Sequence, residues 1–263
     1  MGGQLTAFDG VNLPLAAMEA GLQGDDRLDG MVTVAGGGLY RAFGTDRSPA
    51  KPPVLTHKAK ITGATLHAMQ DILDPILAKQ GKSGTLTMTM GDATSRTRTA
   101  ELLPVEYEVT YQTRQAIPVD LRFQCISIGW KGTAHNDTTT LDTSPKSITV
   151  ANGGNRRVTD AIITVSVPGG GTPMTGLNIY VAGISYISFS GTIAAGTSLV
   201  IDCGALTALN NGADAWSGII RNATDHKIDD LLRLEAGNNP VVVSHTDVGT
   251  NSTVNFAYSD GWE

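Results

Sequence analysis

Near Gly84 the apolar residues of this chain stop recurring every three or four positions and begin to alternate. Before that point Leu66, Met69, Ile72, Leu73, Ile76 and Leu77 form the stripe of an amphipathic helix, with Thr62 or Thr65 available as N-cap and Gly81 placed as a stop. Pro75 inside the stripe removes one backbone bond, so a kink or a separate final turn is expected. After it, Leu86, Met88 and Met90 alternate with Thr85, Thr87 and Thr89, and Gly91-Asp92 suits a two-residue hairpin loop. The return strand is expected to run to Val109, with Val105, Tyr107 and Val109 on one face, Glu106 and Glu108 on the other, and Pro104 marking an edge or bulge. A third strand then alternates Ile117, Val119, Leu121, Phe123 and Cys125 with polar neighbours, which places Cys125 inside. One helix on an antiparallel meander makes an α+β domain of residues 1–130. Its opening, Met1 to Val54, reads as strands separated by long loops, with a short apolar segment at Met31 to Val34 and a strand from Val54 to Ile61.

Residues 131–146 are polar and rich in Thr, closed by Pro145, and read as a linker. Seven short strands are expected in residues 147–263: Ser147 to Ala151, Ala161 to Val167, Asn178 to Ala182, Tyr186 to Phe189, Leu199 to Cys203, Pro240 to Ser244 and Thr253 to Tyr258. Clusters such as Asn152-Gly153-Gly154-Asn155 and Gly169-Gly170-Gly171 separate them, the spacing of a β-sandwich. A weak helical pattern competes only around Ile228 to Leu234. Composition agrees: Gly and Thr each supply 31 of 263 residues and charged residues only 17%. The fold class is therefore mainly β, and a long helical bundle is excluded.

A net charge of -6 and the absence of a basic run exclude sequence-specific grip on nucleic acid through neutralised phosphates. No apolar stretch is long enough to span a bilayer, and no basic and apolar leader opens the chain, so a soluble product without Sec-type export is expected. Cys125 and Cys203 lie far apart without zinc spacing and read as small core residues. The five histidines form no metal motif. His226 with Asp229 and Asp230 is the best local cluster, and Asp9, Asp25-Asp26, Glu106 and Glu108 read as solvated carboxylates. No phosphate cradle occurs, so no cofactor is expected and no enzyme constellation emerges.

The tryptophans speak through position. Trp130 closes the first domain and Trp262 lies beside the last residue, each suited to pinning a junction or terminus. Trp216 has two readings, an exposed contact for a glycan or partner and a plug at one end of the sandwich core.

Three stretches together resemble the distal tail proteins of long-tailed, non-contractile bacteriophages. They are the passage from Ile61-Thr62-Gly63 through Gly84-Thr85-Leu86 to Phe123-Gln124-Cys125; the opening Ser147 to Asn155 with the run Ile187 to Asp202; and the terminal Tyr258-Ser259-Asp260-Gly261-Trp262. The resemblance covers most of Val54 to Glu263. It departs at Ser127-Ile128-Gly129-Trp130, where a proline often found there is missing, and across the first fifty residues.

The resemblance implies a structural virion protein without catalysis: a hexameric hub ring at the far end of the tail, assembled in the bacterial host cytoplasm. It implies a ring-forming N-terminal domain and a projecting galectin-like sandwich. Implied partners are the tail tube protein, a tail-tip or tail-associated protein, the tape measure protein and a receptor-binding protein, with a lumen for DNA passage. A ring subunit needs two complementary patches. The Gly- and Pro-rich segment from Ala35 to Val54 supplies a candidate, with Gly37, Leu39, Tyr40, Phe43 and Pro52 as contact residues. The negative net charge suits a lumen that does not trap DNA. Two alternatives stand beside this reading, a carbohydrate-binding module or adhesin and a tail-tube subunit.

Overall fold

Strict alternation in the third meander strand decides how the first half of the chain folds. Ile117, Val119, Leu121, Phe123 and Cys125 are all buried, as expected, and their strand is the hub of a sheet. The structure, a computed structural model, describes residues 3–14, 31–34, 38–41, 54–107, 116–127, 129–181, 184–221, 231–246 and 251–262. The chain divides into two compact units, Met1–Gly132 and Thr133–Trp262.

In the first unit the strands are β1 (Gly3–Phe8), β2 (Val11–Asn12), β3 (Met31–Val34), β4 (Gly38–Arg41) and β5 (Val54–Thr62), followed by helix α1 (Leu66–Leu77). Then come β6 (Ser83–Met90), β7 (Ser95–Leu102), β8 (Glu106–Tyr107), β9 (Ala116–Cys125) and the start of β10 (Trp130–Thr140). β2, β1, β6 and β7 are hydrogen-bonded in that order, β7 pairs with the end of β9, and β5 pairs with β9 along its whole length. β3 and β4 form a separate two-stranded hairpin.

Local chemistry explains most of these elements. Asp9 and Gly10 both have positive φ and close a two-residue turn between Phe8 and Val11, the twist that suits a tight hairpin. A bulge between Leu5 and Ala7 lets Leu5 and Phe8, three residues apart, both enter the core. There the Phe8 ring meets that of Phe123 at 5.2 Å between centroids. In α1 the Thr65 hydroxyl accepts the Ala68 amide at 3.1 Å, and the helix continues through Pro75 to Leu77. It buries Met69, Leu73 and Ile76 but leaves Leu66 and Ile72 exposed, so the apolar stripe is wider than the face that the unit covers.

Two expectations are corrected here. The loop between β6 and β7 has three residues, Gly91-Asp92-Ala93, because Met90 pairs with Thr94 and Ala93 takes a φ of 64°. The Asp92 carboxylate accepts both the amide and the hydroxyl of Thr94, which favours this longer turn. The return strand also does not continue to Val109. It stops at Leu102, Pro104 interrupts it, and β8 resumes the pairing with β9 over Glu106 and Tyr107 only. Tyr107 is exposed there, and Val109 lies outside the described residues.

The second unit contains β11 (Lys146–Asn152), β12 (Ile162–Ser166), β13 (Leu177–Val181), β14 (Ser185–Phe189), β15 (Ser198–Asp202), β16 (Thr207–Asn210) and β17 (Ala213–Asp214). A single 3-10 turn at Trp216–Gly218 leads to β18 (Ile219–Arg221), β19 (Gly237–Ser244) and β20 (Thr253–Trp262). One antiparallel sheet runs β17-β16-β15-β12-β20-β10 and the other β11-β19-β13-β14-β18. Their inward residues, among them Ile163, Val165, Ile179, Ile187, Val241 and Phe256, form one buried core, the two-layer solution for sheets with one apolar face.

All seven strands expected in this half are present. The linker expected at residues 131–146 is mostly strand: Trp130–Thr140 is β10, paired with β20. Its polar residues find cross-strand partners, since Thr138 donates to Asn255 and Asn255 donates to Asn136. The weak helical pattern is also corrected over its described part. Leu231, Leu232 and Leu234 are buried in a segment that is not helical, where Leu234 forms an isolated bridge and its amide donates to the Val158 carbonyl.

Candidate functional site

The two motifs at the ends of the second unit meet. Asn152, at the end of β11, is buried and its amide is fully employed. Its Nδ2 donates to the carbonyls of Arg156 at 2.6 Å and Glu235 at 3.3 Å, and its Oδ1 accepts the amides of Gly154 and Gly261. Asp260 on β20 accepts the Gly153 amide at 2.6 Å and the His135 imidazole at 3.0 Å. The His135 ring stacks on Tyr258 at 4.8 Å, and the single Tyr258 O–H is shared between the Ala151 carbonyl and the Asp137 carboxylate. Burial and the neighbouring Asp137 carboxylate push the Tyr258 phenol above its ordinary range.

Glycine is required where the two segments cross. A β-carbon on Gly154 would lie 1.8 Å from the Gly261 carbonyl oxygen, and one on Gly261 would lie 2.7 Å from that of Arg156. The motif residues therefore close a clasp between the end of β11 and the end of β20. Its polar atoms satisfy backbone groups at a strand end, which is a structural task. Nothing in the sequence joined the two motifs, because they stand more than a hundred residues apart.

Other titratable groups are likewise occupied. His57 is buried and donates from Nε2 to the Pro14 carbonyl at 2.8 Å; desolvation holds its pKa below the ordinary imidazole value. Asp9 pairs with Lys79 at 2.6 Å and Glu106 with Arg122 at 2.7 Å. Arg98 is buried, donates to the Ser127 carbonyl at 3.1 Å, and lies over the buried Trp130 ring. Cys125 and Cys203 are buried. Among the described residues no group of three or more His, Cys, Asp or Glu side chains could hold a metal ion. Among them, too, no helix is long and apolar enough to cross a membrane.

The expected contact residues fall in different places. Gly37, Phe43 and Pro52 lie outside the described residues, as do Asp25-Asp26, Glu108 and the cluster His226, Asp229 and Asp230. Leu39 and Tyr40 are on β4, opposite Thr33 and Val32. Trp216 opens the 3-10 turn, is half-buried and packs against the sandwich core with Ala215 and Ile219. Trp262 is half-buried at the end of β20.

No family model matches the chain, and no curated protein matches it either. Solved structures do. The SPP1 Dit protein, described as a paradigm of the hub adsorption apparatus in phages infecting Gram-positive bacteria, superimposes with a TM-score of 0.60 at 15% identity. The match covers 98% of this chain and 99% of that one. The baseplate of phage P2 in its activated conformation, solved with calcium and with strontium, matches with a TM-score of 0.39 at 11% identity in each case. Those matches cover 98% of this chain and 91% and 90% of the baseplate chains. Along nearly its whole length, this chain has the fold of a phage tail-hub protein, the fold that its resemblance to the distal tail proteins implied.

Proposed function

We propose that the chain is a structural subunit of the hub at the distal end of a phage tail, a homo-oligomeric ring, hexameric by family resemblance, that joins the tail tube to the tip or baseplate. The observation that carries this reading is the likeness to SPP1 Dit, which spans both units of this chain and leaves almost none of either protein unmatched. The first unit is assigned to the ring, with Ala35 to Val54 packing on a neighbouring subunit through Gly37, Leu39, Tyr40, Phe43 and Pro52. The second unit is assigned to the periphery, where Trp216 is a candidate partner contact. The tail tube protein, the tape measure protein and the tail-tip and receptor-binding proteins are the proposed neighbours, and assembly takes place in the host cytoplasm.

A net charge of -6 per copy supports a lumen through which DNA passes without being held. No catalytic role is part of this reading. Light scattering of the purified chain tests it: a single homo-oligomeric species is expected, reduced to smaller species by deletion of residues 37–51. A monomer at every concentration would overturn the ring.

A further inference from the structure

We propose that Asn211 is a site of spontaneous deamidation, a self-modification that alters the exposed turn between β16 and β17 and spares the other Asn-Gly pair of the chain. Asn152 and Asn211 are the two asparagines that precede a glycine. That neighbour matters because the nucleophile is the next residue's backbone nitrogen, and glycine puts no β-carbon in its path. The Gly212 nitrogen attacks Cγ of the Asn211 side-chain amide and the new C–N bond closes a cyclic imide. The Cγ–Nδ2 bond breaks, and the proton of the attacking nitrogen leaves with the amide nitrogen as ammonia. Water then opens the ring. Cleavage at Cγ leaves an ordinary aspartate, and cleavage at the main-chain carbonyl of the same residue leaves an iso-aspartyl link that runs through Cγ. Either way an amide and water become a carboxylic acid and ammonia, and nothing is oxidised or reduced.

The two pairs are alike in sequence and opposite in structure. Asn152 is buried, both ends of its amide are bonded, and the Gly153 nitrogen donates to Asp260 at 2.6 Å. Electrophile and nucleophile are each held by other partners there, and they meet only if the clasp opens. Asn211 and Gly212 are both exposed and form the two-residue turn that the Asn210–Ala213 pair closes. Their φ values are 50° and 79°, the left-handed pair that such a turn requires, and a β-carbon on Gly212 would meet no described atom within 4 Å. Beyond the turn β17 has two residues and ends its sheet among the described residues, so few hydrogen bonds break before the Gly212 nitrogen can swing onto Cγ. The iso-aspartyl product adds a carbon to the backbone of this turn, which disturbs the register of Asn210 with Ala213 and of Leu209 with Asp214. The Asp214 carboxylate accepts the Trp216 amide at 3.1 Å, so a loosened β17 also reaches the turn on which Trp216 sits. The proposal does not depend on ring assembly, since every residue that it uses belongs to one copy.

Peptide mapping by mass spectrometry tests it on the full-length chain, aged warm at mildly alkaline pH in the folded state and, in parallel, in urea. In the folded chain Asn211 is expected to convert at least about tenfold faster than Asn152. In urea the two rates are expected to lie within about threefold of each other, because the difference resides in the fold. Labelling by an isoaspartyl methyltransferase is expected to mark the peptide that carries residue 211. Hydrogen exchange over residues 207–214, which hold β16 and β17, is expected to rise at least about threefold in the aged chain. The site is overturned if Asn211 stays intact in the folded chain, or if Asn152 converts as fast or faster. A ratio that persists unchanged in urea would overturn its structural origin, and unchanged hydrogen exchange would overturn the loosening of the hairpin.

Discussion

Gly154 and Gly261 approach so closely that a β-carbon on the first would lie 1.8 Å from the carbonyl oxygen of the second. Real β-carbons do not come so near a backbone atom, and neither segment is free to retreat. The Gly261 amide donates to Asn152, the Gly261 carbonyl accepts the Arg156 amide, and Asp260 holds Gly153. Gly154→Ala is expected to cost about 2–4 kcal/mol, in the range of other forced rearrangements of packed interiors. Gly170→Ala, in an open turn with nothing within 4 Å, is expected to change stability by less than about 0.5 kcal/mol. Urea unfolding of the two variants checks the contrast.

His57 makes stability depend on pH in the neutral to mildly acidic range. Its folded pKa lies below 6.5, so between the two values the unfolded chain binds a proton that the native chain does not. The contribution is fully present above pH 6.5 and is lost as pH falls towards the folded pKa. Asp92 and Asp142, whose pKa values are lowered from 3.8 by hydrogen bonds from Thr94 and Lys146, titrate below this window. Unfolding free energies measured between about pH 5 and 7 are expected to fall on acidification in the native chain and to change less in His57→Gln.

Ala93 occupies a left-handed conformation that favours glycine, with φ of 64°. Ala93→Gly is expected to stabilise the β6–β7 hairpin by about 0.5–1 kcal/mol, read as a rise in the urea midpoint at unchanged slope.

Trp216 packs half-buried against the sandwich core. Trp216→Ala is therefore expected to cost about 2–4 kcal/mol through lost packing, whether or not a partner also touches the ring. A melting temperature equal to that of the native chain would show that the indole does not plug the core.

Those elements whose buried residues lie close together in sequence were the legible ones. Alternation over Ile117 to Cys125 and the stripe from Met69 to Ile76 carry their inward faces in local order. β10 reads as linker in the sequence because its residues are polar and their partners on β20 lie more than a hundred positions away. The clasp escaped for the same reason: Asn152-Gly153-Gly154 and Asp260-Gly261 were each visible, but what they do depends on their meeting. At Asp9 the sequence reads as a solvated carboxylate, whereas its positive φ beside Gly10 places it in a hairpin turn. The short strands β16 to β18 span at most four residues each, too few for a period to show.

The most direct measurement of the hub reading is electron microscopy of the purified full-length chain. The account predicts closed rings with a central opening and lobes at the periphery, whose lumen at higher resolution is acidic or neutral. Monodisperse single copies, or rings that stack without limit into tubes, would contradict it.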